Sequence, residues 1–452
     1  MRRLGTHTAL HLTLQSWGHT PTKRGFQSYV GYLQAQGDYY KHNVGISELI
    51  GPLKSVDGLD FWYNTRPYHE AVGNYSLDIY RTAVSKVLHG YVSRQDTPEK
   101  RAAHPLFVYL AHQTVHVPLQ YRQDESSRCG KIKHAVRRIY CFMMVEMDDA
   151  IGEMIEFYKG FGLYDDLLIL TMTDNGGMVN FSPNPAADNY PRFPASQGSN
   201  YPLRGSKTTL FEGGVRSTAF VSGGYVPSEV RGHRFKGLAH VVDFTASILA
   251  AAGLFPLRKE ELKLDGYSIL SLLFERKGAM QQRDHVPINI VSGGKRYSAV
   301  RFGRYKLIVD DFFTPTAQGW FDENGDLKEP SQPFSKGQIQ LFDLEDDPQE
   351  RTDVSKNFPH MVQHGLSLIQ MYVRGGNYME PQASTTVHAA ALPVLHGGVW
   401  KPFMKEKAWT DQFLADREKQ RHRMEMNLGD EAEELSMTLV GDASTDAAVA
   451  VA

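Results

Sequence analysis

Leu167-Leu168-Ile169-Leu170-Thr171-Met172-Thr173-Asp174-Asn175-Gly176-Gly177 is the stretch that decides the fold. Its first seven residues are uncharged and mostly apolar, a run short enough for a strand buried on both faces. The run ends on an acid, an amide and two glycines, and open α/β sheets place ligands just beyond the C-terminal ends of their strands. A second such run, Leu106 to Ala111, leads into His112-Gln113-Thr114-Val115-His116-Val117-Pro118. Between the two, Ile139, Phe142, Met143, Met147, Ile151, Met154 and Ile155 recur three and four apart, which predicts a helix over Lys133 to Tyr158. Ala219-Phe220-Val221 predicts a third strand, and Val241 to Ala252 a helix closed by Gly253. Strands alternating with helices predict an α/β fold with a largely parallel or mixed sheet.

The character changes after about residue 285. Val286 to Val291, Tyr297 to Phe302, Tyr305 to Val309 and Gln340 to Leu344 are short apolar runs separated by Gly-rich or Pro-rich segments, which predicts a small antiparallel sheet. Leu366 to Val373 reads as a helix. From Phe403 the chain is dense in Lys, Arg and Glu, and its last dozen residues are small and featureless. The expected division is therefore 1–285, 286–400 and a charged, partly disordered tail over 401–452.

Of 452 residues, 41% are hydrophobic and 22% charged, enough apolar content for a large core. A formal net charge of −2 gives no ground for a nucleic-acid partner. No apolar run approaches the roughly 18 residues of a transmembrane helix, and the opening residues, interrupted by His7, His11 and Gln15, make a poor signal peptide. Cys129 and Cys141 form no disulfide framework and have neither metal nor redox spacing, so they read as two buried or partly buried thiols. Asn74-Tyr75-Ser76 and Asn180-Phe181-Ser182 are glycosylation sequons, a number that chance supplies in a chain this long.

Asp174 and Asn175 are hard oxygen donors suited to Ca²⁺ or Mg²⁺, and the glycines after them let the backbone turn away. The same residues would also serve as a plain strand-to-loop turn. His112 and His116 are four apart, a zinc spacing only on a helix, and the preceding strand with Pro118 speaks against one. His116 at a strand end is an anion contact, an acid, or a structural histidine. Tyr201-Pro202-Leu203-Arg204-Gly205-Ser206-Lys207-Thr208-Thr209 lacks the first glycine of a phosphate loop. Lys207 is left as a candidate cation, or as a solvated lysine. The adjacent carboxylates at Asp148-Asp149, Asp165-Asp166, Asp310-Asp311 and Asp346-Asp347 read as helix surface, turns and caps.

Taken in order, these segments resemble the sulfatases, most closely the arylsulfatase B group. Pro21 to Phe26, Tyr29 to Leu33 and Asp38-Tyr39-Tyr40 are similar to the stretch that follows that group's Gly-Lys-Trp-His-Leu-Gly motif. Gln113 to Leu119 is similar to its Gln-Ser-Val-His-Glu-Pro-Leu, and Thr173 to Gly177 matches Thr-Asp-Asn-Gly-Gly. Tyr201 to Gly214 resembles Trp-Pro-Leu-Arg-Gly-x-Lys…Glu-Gly-Gly, and Leu341 to Arg351 resembles Leu-Tyr-Asp-Leu-x-x-Asp-Pro-x-Glu-Arg. The likeness implies an alkaline-phosphatase-like fold, a large mixed sheet flanked by helices with a smaller C-terminal antiparallel-sheet domain. It implies hydrolysis of sulfate esters, on sulfated glycans or aryl sulfates, with Ca²⁺ and a formylglycine made from the Cys of Cys-x-Pro-x-Arg. It implies a lysosomal or secreted location. Carried over by motif, Asp174 and Asn175 are Ca²⁺ ligands, and His116 and Lys207 are catalytic residues that bind the sulfate oxygens, with His116 a proton donor to the leaving alcohol. Preorganised cations suit the charge that sulfuryl transfer gathers on oxygen.

The departures from the pattern are as informative. Neither cysteine lies in Cys-x-Pro-x-Arg, and the family's Asp-Asp pair is missing. Counting back from Pro21, the Gly-Lys-Trp-His-Leu-Gly motif falls on Thr8 to Thr13, where His11 is retained as a catalytic candidate but the Lys position is Ala9. Two oxygen ligands are also too few for Ca²⁺. The expectation is a sulfatase sequence whose N-terminal part is missing and which is inactive as written. The alternative is a non-catalytic relative that binds sulfated glycans or a partner.

Overall fold

The computed structural model describes residues 2–7, 16–34, 37–46, 56–122, 127–133, 135–179, 198–254, 264–274, 283–290, 297–310, 320–321, 327–328, 338–375 and 389–402. The first part contains β1 (Arg2–His7), β2 (Ser28–Gly31), β3 (Asn43–Ile46), β4 (Val56–Leu59), β5 (Trp62–Tyr63), β6 (Arg66–Pro67), α1 (Ser76–Arg94), α2 (Pro98–Ala103), β7 (Leu106–Leu110) and α3 (Ala135–Gly160). The chain then runs through β8 (Ile169–Met172), α4 (Glu212–Val215), β9 (Ala219–Ser222), α5 (Val241–Ala251) and α6 (Leu270–Phe274). The C-terminal part holds β10 (His285–Ile288), β11 (Tyr297–Phe302), β12 (Tyr305–Asp310), β13 (Trp320–Phe321), β14 (Leu327–Lys328), β15 (Gln338–Asp343) and α7 (Pro359–Arg374).

The larger sheet is mixed, in the order β6-β5-β2-β1-β7. β1 runs parallel to both β2 and β7, whereas β5 pairs antiparallel with β2 and β6. β8 and β9 form a separate antiparallel pair among the described residues. β7 is packed by helices, with Val84 and Leu88 of α1 and Met154 of α3 sharing one apolar cluster with Leu106, Val108 and Leu110. Leu88 is fully buried there, so truncating it to Ala would cost roughly 2–5 kcal/mol. The helix expected from Lys133 is present as α3, and those expected from Val241 and Leu366 are present within α5 and α7.

The C-terminal sheet is antiparallel, in the order β10-β11-β12-β15. Its strands alternate between faces, as the two-residue strand period requires. Val300, Leu307 and Leu341 pack with Val362 and Leu366 of α7. Ala299, Ile308 and Phe342 face the other way and pack on Leu210 and Phe211, beside α4. Lys306 shares that second face and is fully buried. Its Nζ lies 3.0 Å from Glu212 Oε1 and 2.9 Å from Glu350 Oε1. Glu350 in turn accepts the Glu212 N–H at 2.6 Å, and its carbonyl accepts Arg204 at 3.0 Å. Two of the motifs quoted above, around Glu212 and around Glu350, are thus the two sides of one buried joint.

Residues 389–402 return to the first part of the chain. Val399 bridges Leu59, Trp400 donates to the Val44 carbonyl at 2.9 Å, and a Cβ on Gly58 would stand 2.3 Å from Pro393. One expectation needs correcting. Cys129 and Cys141 are not thiols but a disulfide, with Cα atoms 5.9 Å apart. The turn before α3 folds back against the second turn of the helix, a juxtaposition that sequence spacing does not reveal. His11 and Asn180 lie outside the described residues, as does the chain from 403 onward. Asn74 is exposed.

Candidate active site

Three loops meet at the strand ends. The first follows β7, and it is a turn rather than a helix: His116 N–H donates to the Gln113 carbonyl at 3.0 Å. His112 and His116 therefore do not share a helical face, and the zinc reading fails. Among the described residues, no cluster of three or more His, Cys, Asp or Glu side chains is placed to hold a metal ion.

The second loop follows β8. Thr173 N–H donates to the Thr218 carbonyl at 2.9 Å, and Thr218 N–H donates to Thr173 Oγ1 at 3.0 Å. Asp174 is exposed, its Oδ1 accepting the Asn175 N–H at 2.9 Å, while Asn175 Nδ2 donates to the Gly176 carbonyl at 2.8 Å. Gly176 donates to Gly214 at 3.0 Å, and a Cβ at Gly176 would lie 1.7 Å from the Gly213 carbonyl oxygen. Only glycine allows that approach.

The third loop carries Lys207. Its N–H donates to the Gly177 carbonyl at 3.1 Å, and Asn200 braces the same glycine, accepting its N–H at 2.8 Å and donating to its carbonyl at 2.9 Å. Gly205, in the left-handed region at φ +86°, turns the chain so that Lys207 stands beside the Asp174 loop.

The electrostatics tie the three loops together. Burial lowers the His116 imidazole from its ordinary range; the Val117 carbonyl bonded to Nδ1 at 2.9 Å opposes this, Lys207 adds to it, and Asp174 opposes it. Lys207 and Asp174 are therefore each within electrostatic reach of His116. Burial, and next the Asp174 carboxylate, also raise the phenols of Tyr109 on β7 and Tyr140 on α3. Sequence reading did not single out these two tyrosines or Asn200; Tyr109, the one exposed residue of β7, gives a signal only in retrospect.

Asp174 and Asn175 offer donors of the right chemistry for a hard divalent cation, which takes six to eight oxygens. The described residues supply too few to complete such a site, so no step is derived through a metal.

The mixed sheet flanked by helices, with a separate, smaller C-terminal antiparallel sheet, is the alkaline-phosphatase-like fold. Residues 1–254 match the family model described as Sulfatase, and the chain belongs to the sulfatase family. Mouse arylsulfatase J is 29% identical over 408 residues, covering 86% of this chain and 62% of that protein. Human N-acetylgalactosamine-6-sulfatase is 26% identical over 261 residues, 52% of this chain and 45% of that one. The chain thus spans less than two thirds of the length of either relative. Among solved structures, Ps i-CgsB superposes with a TM-score of 0.58 at 22% identity, over 82% of this chain and 70% of that one.

Proposed function

We propose that this chain carries the sulfate-binding side of an arylsulfatase B-type site that acts on sulfated glycans. His116 and Lys207 take the sulfate oxygens, and Asp174 and Asn175 supply two of the oxygen donors of a Ca²⁺ site. The observation that carries this reading is the bond from the Lys207 backbone N–H to the Gly177 carbonyl, 3.1 Å long, which ties the lysine's loop to the loop that bears Asp174 and Asn175. A lysine so placed stabilises negative charge on oxygen without reorganising. The glycan is favoured over a small aryl sulfate because one relative is an N-acetylgalactosamine-6-sulfatase and Ps i-CgsB was also solved with a neocarrahexaose.

Sulfatases of this family transfer the sulfuryl group to a formylglycine. The sequence given has no Cys-x-Pro-x-Arg, and its two cysteines are bonded to each other. With no covalent acceptor, this chain binds sulfate without turning esters over. That property also suits a non-catalytic protein that holds sulfated glycans. The disulfide fits an oxidising compartment, hence secretion or the lysosome.

The test is a calorimetric sulfate titration of the purified chain, beside an assay for phenol release from a chromogenic sulfate ester. Binding that Lys207→Ala abolishes, with no turnover, is the expected result. Turnover that disappears in Lys207→Ala would mean that a nucleophile is present, and the claim of inactivity would be wrong. Sulfate binding unchanged in Lys207→Ala would end the assignment of the site.

A further inference from the structure

We propose that the Tyr39 hydroxyl is the positioning group for His116, holding closed the turn that presents the imidazole. The idea rests on the sulfate-binding role given to His116 above. Tyr39 is fully buried and lies 77 residues before His116. Its Oη is 3.0 Å from the Gln113 carbonyl oxygen and 2.8 Å from that of His116. These are the first and last residues of the turn that the His116 N–H closes. A single phenol proton thus draws together two carbonyl dipoles that would otherwise repel and open the turn.

The Tyr39 backbone is itself held in place from several sides. Tyr39 N–H donates to Gln120 Oε1 at 2.8 Å, and Gln120 Nε2 donates to Asp38 Oδ2 at 2.9 Å. Ser76 Oγ lies 3.1 Å from the Tyr39 carbonyl and 2.8 Å from Gln113 Oε1, while Gln113 Nε2 donates to the Gly37 carbonyl. Both ends of the turn are therefore fastened to the Gly37–Tyr39 segment, Gln113 through its side chain and His116 through its carbonyl. Burial raises the Tyr39 phenol well above its ordinary range, so it remains a donor wherever the fold persists.

The consequence for His116 is directional. Its Nδ1 is bonded to the carbonyl of Val117, the next residue along, so the turn's backbone also aims the ring. Functional groups have to be held to within about 0.5 Å of their working position. A turn that opens would re-aim Nε2 away from the place beside Lys207.

The test compares Tyr39→Phe with Tyr75→Phe in the full chain. Tyr75 is a fair control: it is buried, stacks on Tyr39 at 5.7 Å, and donates to the Gln120 carbonyl at 3.0 Å rather than to the turn. Two quantities are read, sulfate affinity and the nitrogen-15 shifts of the His116 imidazole, which report where the ring proton sits. Tyr39→Phe should weaken sulfate binding about tenfold, the loss expected for one net hydrogen bond, and should alter the His116 ring shifts. Tyr75→Phe should leave both as in the wild type. Wild-type affinity and ring shifts in Tyr39→Phe would overturn the proposal. If the wild type binds no sulfate, the functional reading fails, while the ring shifts still decide the role of Tyr39. Should Tyr39→Phe not fold, amide exchange in the wild type decides instead. Slow exchange of the His116 N–H, like that of β7, supports the clasp, and exchange at open-loop rates overturns it.

Discussion

Lys306→Met should be among the most destabilising single changes in the molecule, and its cost can be worked from the joint that it breaks. The ammonium sits between Glu212 and Glu350 with none of its surface exposed. Removing one partner of a buried ion pair costs roughly 3–5 kcal/mol, because a charge is left without compensation. Two features place this site at the lower end of that range. Burial raises the Glu350 carboxyl to about 7, against the opposing pull of Lys306, so Glu350 sheds its charge readily by taking up a proton. Glu212, which burial would also raise, is held below its ordinary value by Lys306, and it keeps Arg216 and Arg301 at 3.7 Å when the lysine is gone. We therefore expect a loss of about 3 kcal/mol, a fall in melting temperature on the order of 5 °C in a thermal scan at pH 7. Adding Glu212→Gln and Glu350→Gln to Lys306→Met should recover at least half of the loss, since a neutral joint carries no stranded charge. A melting point within about 1 °C of wild type, or a triple variant no better than the single one, would refute the account.

Three further expectations concern that joint, the His112 imidazole and the glycine contact at Gly176. Because the folded state raises the Glu350 pKa, its contribution is complete below the ordinary carboxylate range and is lost as pH rises through about 7; Glu350→Gln should flatten the decline in melting temperature between pH 5 and 8. His112 has the opposite sign: burial lowers it to about 4, so its contribution is complete above about 6.5 and up to about 3 kcal/mol is lost as pH falls toward 4, a loss that His112→Leu should remove from an acid-unfolding titration. Gly176→Ala puts a methyl group 1.7 Å from the Gly213 carbonyl oxygen, and should abolish sulfate binding in calorimetry even where circular dichroism shows the helices retained.

What the sequence disclosed and what it hid follow a physical line. Runs such as Leu106–Leu110 and Tyr297–Phe302 were legible because a strand packed on helices or in a sheet leaves a continuous or alternating apolar signature. Helix α1 was not, although Leu77, Tyr80, Val84, Leu88 and Tyr91 lie three and four apart, because two of its core positions are tyrosines and serines and a glycine interrupt the rest. The Cys129–Cys141 bond depends on the path of a turn, and Lys306 looks like any polar residue in an alternating strand until two distant segments close around it. Likewise, Tyr39 and His116 are close only because two loops from different strands cross. Patterns within one element can be read from the sequence, whereas partners between elements cannot.

The glycines show how a motif can mix two causes. Asn-Gly-Gly after β8 and Glu-Gly-Gly at α4 appear as separate signatures, yet Gly176 and Gly213 are one contact seen from its two sides. A Cβ on Gly213 would stand 2.5 Å from the Arg204 carbonyl oxygen, and one on Gly214 would stand 2.4 Å from that of Ser206. These glycines are fixed by steric closeness, and no chemistry need be asked of them. Asp174, Asn175 and Lys207 gain nothing from that closeness for themselves; their side chains face outward or are only half-buried, and the fold does not require them. The glycine interlock is what brings the lysine loop against the acid loop, so the two loops owe their contact to residues that have no side chain. A variant that spares Asp174, Asn175 and Lys207 but loosens the interlock should therefore lose the site as completely as one that removes them.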